Sequence, residues 1–163
     1  MYFGISLSTD IFTKATVYSI NSRYQQNSGH KGGSLAVLSV YRFTNLHCTF
    51  MNNKASRAGA AIYMEDCKSI SNVQCLFMGN IYGAMHIELS LKKSKKSLYG
   101  RAHYNALFIS SAFVNNTGTY GAALCSRYFI DIVIQSCYAY NNYAVQQGGV
   151  FYLHYPEFVW MIN

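Results

Sequence analysis

Six carboxylic side chains are all this 163-residue chain offers for acid–base chemistry: Asp10, Glu65, Asp66, Glu88, Asp131 and Glu157. Hydrolysis of a glycosidic bond needs two carboxyls roughly 5–10 Å apart. Glu65 and Glu88 sit at equivalent strand ends in successive sequence repeats, so they form the single pair that could meet, against a competing reading as a solvated turn. Asp131 and Glu157 stand alone. The five histidines, His30, His47, His86, His103 and His154, show no HExxH or other close ligand spacing, so no metal site and no cofactor is expected. The five cysteines, at 48, 67, 75, 125 and 137, include no CxxC, which argues against a zinc ribbon or a thioredoxin-like dithiol. Cys48 and Cys75 would lie on neighbouring layers, within disulfide reach, but serines occupy the same column elsewhere and need no bridge. Asn115-Asn116-Thr117 is the one N-x-[ST] sequon and offers Asn115 for glycosylation in a secreted eukaryotic protein.

The net charge of +7 is concentrated: Lys92, Lys93, Lys95, Lys96 and Arg101 supply five of the thirteen positive charges. Such a cluster could engage acidic glycans, anionic lipid or nucleic acid by charge attraction, or be a solvated loop. The rest is near neutral, so no basic, aromatic-interleaved surface runs along the chain as a nucleic-acid groove would want. With 51% apolar, 16% aromatic and 12% charged residues, the chain is not disordered. One proline and twelve glycines among many tyrosines favour strands joined by glycine-assisted turns.

The elements that must position these residues come from an internal repeat. Aligning an aromatic with an asparagine three residues later gives Tyr24/Asn27, Phe50/Asn53, Phe77/Asn80 and Phe113/Asn116, with Ala139/Asn142 as a weaker copy. A small residue precedes each aromatic position by two: Ser22, Cys48, Cys75, Ser111 and Cys137. A glycine cluster and an apolar run follow each asparagine, as in Gly59-Ala60-Ala61-Ile62 and Gly121-Ala122-Ala123-Leu124. Self-similarity at a fixed period marks a repeat architecture. A unit of about 26 residues without helical periodicity cannot bury its own apolar face, whereas stacked copies can. The expectation is an all-β, right-handed parallel β-helix of about five to six rungs spanning residues 1–163 as one domain. Within it, Phe50, Phe77 and Phe113 form an interior stack. Asn27, Asn53, Asn80, Asn116 and Asn142 form a ladder at a sharp turn where asparagine supplies left-handed backbone. The period stretches between Phe77 and Phe113, and the excess lies in a basic loop insertion at 91–104, leaving the coil beside Glu65-Asp66.

FMNN at 50–53 and FVNN at 113–116, followed by GAAI at 59–62 and GAAL at 121–124, resemble the FxxN and GGA[ILV] repeats of polymorphic outer membrane proteins. The resemblance covers about residues 20–155 and implies a pectin-lyase-like β-helix used on cell surfaces for adhesion. It carries the leading functional expectation: a non-catalytic, adhesin-like segment of a cell-surface or secreted protein, with glycans or host-cell surface proteins as partners. A partial or degenerate polysaccharide lyase or hydrolase of the same fold is the alternative, and a nucleic-acid binder acting through the lysine loop a third. The N-terminus reads as neither signal peptide nor membrane span, so an exported chain would be an internal fragment of a longer protein.

Overall fold

A computed structural model of the chain describes residues 3–6, 13–90, 104–128 and 131–163. Every regular element in it is a strand, and the strands pair in parallel with partners one repeat away. The first sheet stacks Phe3–Ser6, Leu35–Leu38, Ile62–Glu65, Met85–Glu88, Leu124–Arg127 and Phe151–His154. The second stacks Thr13–Ile20, Val40–Leu46, Ser69–Val73, Asn105–Ile109, Asp131–Gln135 and Phe158–Ile162. The third stacks Arg23–Gln25, Thr49–Met51, Leu76–Met78, Ala112–Val114 and Tyr138–Tyr140. A fourth, interrupted side is made by Ser28–Lys31 with Lys54–Ala58, by Thr117–Tyr120 with Tyr143–Gln147, and by single bridges through Ile81. The chain is therefore a parallel β-solenoid in which each repeat makes one turn.

Parallel, in-register stacking turns every sequence column into a column in space, because strand side chains alternate between faces. The aromatic column faces inward, and its rings stack nearly parallel. Tyr24 lies 4.7 Å from Phe50, Phe50 5.0 Å from Phe77, and Phe77 5.0 Å from Phe113. Inward positions of the first sheet, Leu35 and Val37, Ile62 and Met64, Met85 and Ile87, oppose those rings and close the core. Each such side chain gains roughly 1.5–3 kcal/mol on leaving water, and each aromatic pair adds about 1 kcal/mol.

Two features differ from the sequence expectation. The runs Phe43–Phe50 and Ile70–Phe77 look continuous in sequence, yet each is split at one left-handed residue, His47 (φ 53°) and Gln74 (φ 51°). Leu35–Tyr41 is likewise split at Ser39 (φ 56°). One residue suffices for the corner, so the apolar alternation passes through it and conceals the bend. The second correction concerns the asparagine column. Left-handed backbone at that corner falls one residue earlier, on Gln26, Asn52, Gly79, Asn115 and Asn141. Turning and hydrogen bonding are thus assigned to neighbouring residues. At the fourth corner glycine is required. Gly59 has φ 61°, and a Cβ there would lie 2.3 Å from the Ile62 carbonyl oxygen.

Residues Phe158–Ile162 extend the second sheet by pairing with Asp131–Gln135, and all five are exposed, so they continue the coil as a strand. Ser90, the last described residue before the stretch read as an insertion, donates its amide to Asp66 Oδ1 at 2.8 Å. The cluster Lys92, Lys93, Lys95, Lys96 and Arg101 lies outside the described residues.

Candidate functional site

The asparagine column packs into the interior of the corner. Asn53, Asn80 and Asn116 are fully buried, and Asn27 and Asn142 half-buried. The side-chain carbonyls of Asn53, Asn80, Asn116 and Asn142 each accept twice from the asparagine one turn before. Asn80 Oδ1, for example, takes the Asn53 backbone N–H at 3.1 Å and the Asn53 Nδ2 at 3.0 Å. The freed Nδ2 of Asn80 donates to Asn116 Oδ1 (2.9 Å) and to the Phe50 carbonyl (3.1 Å). The same pattern joins Asn27 to Asn53 and Asn116 to Asn142. Every polar atom of these buried amides is spent on the corner, which leaves none for a ligand.

The cysteine column is similarly internal. Cys48 and Cys75 are buried, none of the five cysteines forms a disulfide, and the Cys75 amide donates to Ser111 Oγ at 3.1 Å. A hydrogen bond with Cys48, and burial, push the Cys75 thiol pKa up. Asn115 is exposed at its corner, where its Oδ1 accepts from Asn141 Nδ2 at 2.9 Å. His30 meets Ser56 on the surface and His47 is exposed, while His103 lies outside the described residues. Among the described residues no group of three or more His, Cys, Asp or Glu is arranged to hold a metal.

The outward columns of the first sheet are different. Register places Tyr63, His86, Cys125 and Tyr152 in one column, and Glu65, Glu88, Arg127 and His154 in the next. Glu65 and Glu88 are therefore brought together on adjacent turns. The Tyr63 hydroxyl contacts both carboxylates, reaching Glu65 Oε2 at 2.7 Å and Glu88 Oε1 at closer range. Lys31 arrives from the fourth side to donate to the Tyr63 hydroxyl. It sits 3.6 Å from Glu65 and 3.7 Å from Glu88, with its ammonium 4.2 Å from the Tyr63 ring centre. His86 stacks on Tyr63 and places Nε2 3.2 Å from Glu88 Oε2.

These contacts set the charges. Burial opposes protonation of His86, but hydrogen bonds to Cys125 and Glu88 outweigh it and lift its pKa to about 9. Glu88 is held down to about 2, chiefly by the His86 hydrogen bond and further by Tyr63 and Lys31. Tyr63 is pushed up by burial and by its bonds to the two carboxylates. At neutral pH the cluster is thus two carboxylates compensated by an imidazolium and an ammonium.

A groove of about 230 Å³ opens over this cluster, with Arg57, Tyr82, Tyr120 and Arg127 on its rim. A second depression shares Glu88 and Arg127 and continues toward Tyr128, Tyr152 and His154. Sequence reasoning found the two glutamates and missed Lys31, Tyr63, His86 and Arg127. The available signal was the outward column itself, the second residue after each glycine–alanine run and the one two further on, whose chemistry changes from turn to turn.

One family model matches the chain. Residues 47–65, from the His47 corner through Phe50, Asn53 and Gly59 to Glu65, match the Chlamydia polymorphic membrane protein repeat. With its stacked parallel sheets, the chain is a β-helix carrying a repeat of the polymorphic membrane protein type. Comparison with curated proteins and with solved structures found no match. None of the described residues forms a helix long and apolar enough to cross a membrane.

Proposed function

We propose that the chain is a non-catalytic, adhesive β-helix segment of a cell-surface or secreted protein, presenting a long rigid side to glycans or to proteins of another cell. The observation that carries this reading is the match of residues 47–65 to a polymorphic membrane protein repeat, together with the recurrence of that unit on successive turns. A stack of this kind holds its outward columns at fixed spacing, which suits extended recognition.

The glutamate pair favours binding over catalysis. A glycoside hydrolase needs one carboxyl kept protonated near neutral pH as general acid. Glu88 is instead held low, and both carboxylates are engaged by Tyr63 and Lys31.

The test is binding of the labelled, folded chain to a panel of cultured cells, with heat-unfolded chain as control. Saturable binding by the folded chain alone is expected, and its absence across the panel would count against the adhesive reading. Release of sugar from polyuronate or neutral polysaccharides, lost in a Glu65→Gln, Glu88→Gln double variant, would overturn the non-catalytic part.

A further inference from the structure

The groove over the first sheet has an arrangement that structural need does not explain. Its floor is internally satisfied: Glu65 and Glu88 are matched by Lys31 and His86 and by the Tyr63 hydroxyl. Two guanidinium groups on the same groove are left over. Arg57 is exposed and Arg127 half-buried, and neither makes an ion pair among the described residues. Arg127 lies over the Tyr120 ring at 5.8 Å, and Tyr120 in turn packs against Tyr152 at 5.1 Å. Tyr82, 44% exposed, borders the same opening. Because the second depression shares Glu88 and Arg127, the recess runs up the stack across several turns.

We propose that this recess binds an acidic oligosaccharide, with a carboxylate or sulfate held by Arg127 and Arg57 and sugar faces laid against Tyr120 and Tyr82. The proposal rests on the surface-binding reading above and gives it a ligand class and a site. Three physical features select that ligand. Guanidinium presents paired donors matched to planar or tetrahedral oxyanions. Tyrosine rings offer apolar faces to C–H surfaces while their hydroxyls remain available to sugar hydroxyls. With its carboxylates already neutralised, the floor accepts an incoming anion without like-charge repulsion, and the surplus positive charge favours one.

The experiment is calorimetric titration of the full chain with an oligogalacturonate, a heparin-derived oligosaccharide and a neutral cello-oligosaccharide. At least one acidic probe is expected to bind and the neutral one not to; binding of the oligogalacturonate shows that a carboxylate suffices, and binding of the heparin oligosaccharide alone shows that sulfate is needed. Arg127→Ala is expected to weaken binding by about tenfold or more and Arg57→Ala by several-fold, as loss of charge-assisted contacts should. Tyr120→Ala should weaken it while Tyr120→Phe largely retains it. Arg57 is exposed at the surface, so its variant keeps the test open even if Arg127→Ala fails to fold. The proposal is overturned if neither acidic probe binds. It is also overturned if binding ignores both arginines, or is lost only when Lys92, Lys93, Lys95 and Lys96 are all changed to alanine. Cell binding indifferent to Arg57 and Arg127 would remove this site and leave the adhesive reading standing. Oligosaccharide binding without cell binding would do the reverse.

Discussion

The corner holding Phe77 and Asn80 and the outer face holding Tyr63, His86 and Arg127 are built on the same stacking rule, yet they use it oppositely. At the corner each turn repeats the residue below it, so identical rings and amides meet and satisfy one another. On the outer face the chemistry changes along the column, so tyrosine meets histidine, and a pair of glutamates is followed by arginine in register. Repetition stabilises, because like packs on like at one spacing. Variation leaves groups whose needs are met only in part, and those groups are available to something else.

The sharpest way to break this contrast is to remove a ring from the stack. Phe77→Ala should cost about 3–5 kcal/mol, as truncations of fully buried aromatics do, measured by denaturant unfolding. A cost under about 1 kcal/mol would show that the column is not the structural spine.

Next is the ladder. Asn80→Ala leaves the Asn53 backbone N–H without its acceptor and removes the side-chain bonds to Asn53 Nδ2, the Phe50 carbonyl and Asn116 Oδ1, so a loss of about 2–4 kcal/mol is expected from buried groups left unpaired. A second buried amide pair gives the counter-case. Asn45 Nδ2 donates to Asn72 Oδ1 at 2.7 Å, yet Asn45 Oδ1 and Asn72 Nδ2 have no partner. Replacing both with leucine should be near neutral or stabilising, because a half-satisfied pair already bears its desolvation cost.

The charged cluster should show in the pH dependence of stability. His86 is raised from 6.5 to about 9, so its contribution is full below about pH 6.5 and fades as pH rises through 9. Glu88 is lowered from 4.5 to about 2, so its contribution is full above pH 4.5 and fades as pH falls through 2. Stability should therefore be broadest between those limits. His86→Gln should flatten the alkaline limb, an effect of about 3 kcal/mol, and an unchanged limb would mean that the imidazolium contributes nothing. Smallest of all, Arg57→Ala should move stability by no more than about 0.5 kcal/mol, as exposed substitutions usually do. A large loss there would make the groove part of the scaffold.

The fold was legible because its signal is redundant. Phe50, Phe77 and Phe113 state the period, and Asn53, Asn80 and Asn116 state it again at fixed offset. The corner residues were less legible, since His47, Gln74 and Ser110 share no side-chain type and are united only by positive φ. The site was half legible. Glu65 and Glu88 were found by repeat position, but Lys31 approaches from 32 residues before Tyr63. Arg127 joins from beyond the insertion. Glu65, Glu88 and Arg127 share one column, but no column links them to Lys31, which only the closed circuit of the coil brings alongside.

The bridge between Lys54 and Ile81 carries a consequence for how such a chain can change length. Those two residues occupy equivalent points on successive turns, each following its ladder asparagine, and the Asn27 and Asn53 carbonyls receive their amides in the same way. Joining Asn53 directly to Ile81 would excise one whole turn and reconnect ends that already lie in register. Recombination between neighbouring repeats in a gene of this kind would therefore yield shorter or longer coils that still close. It would also change the order in which the outer face displays its residues.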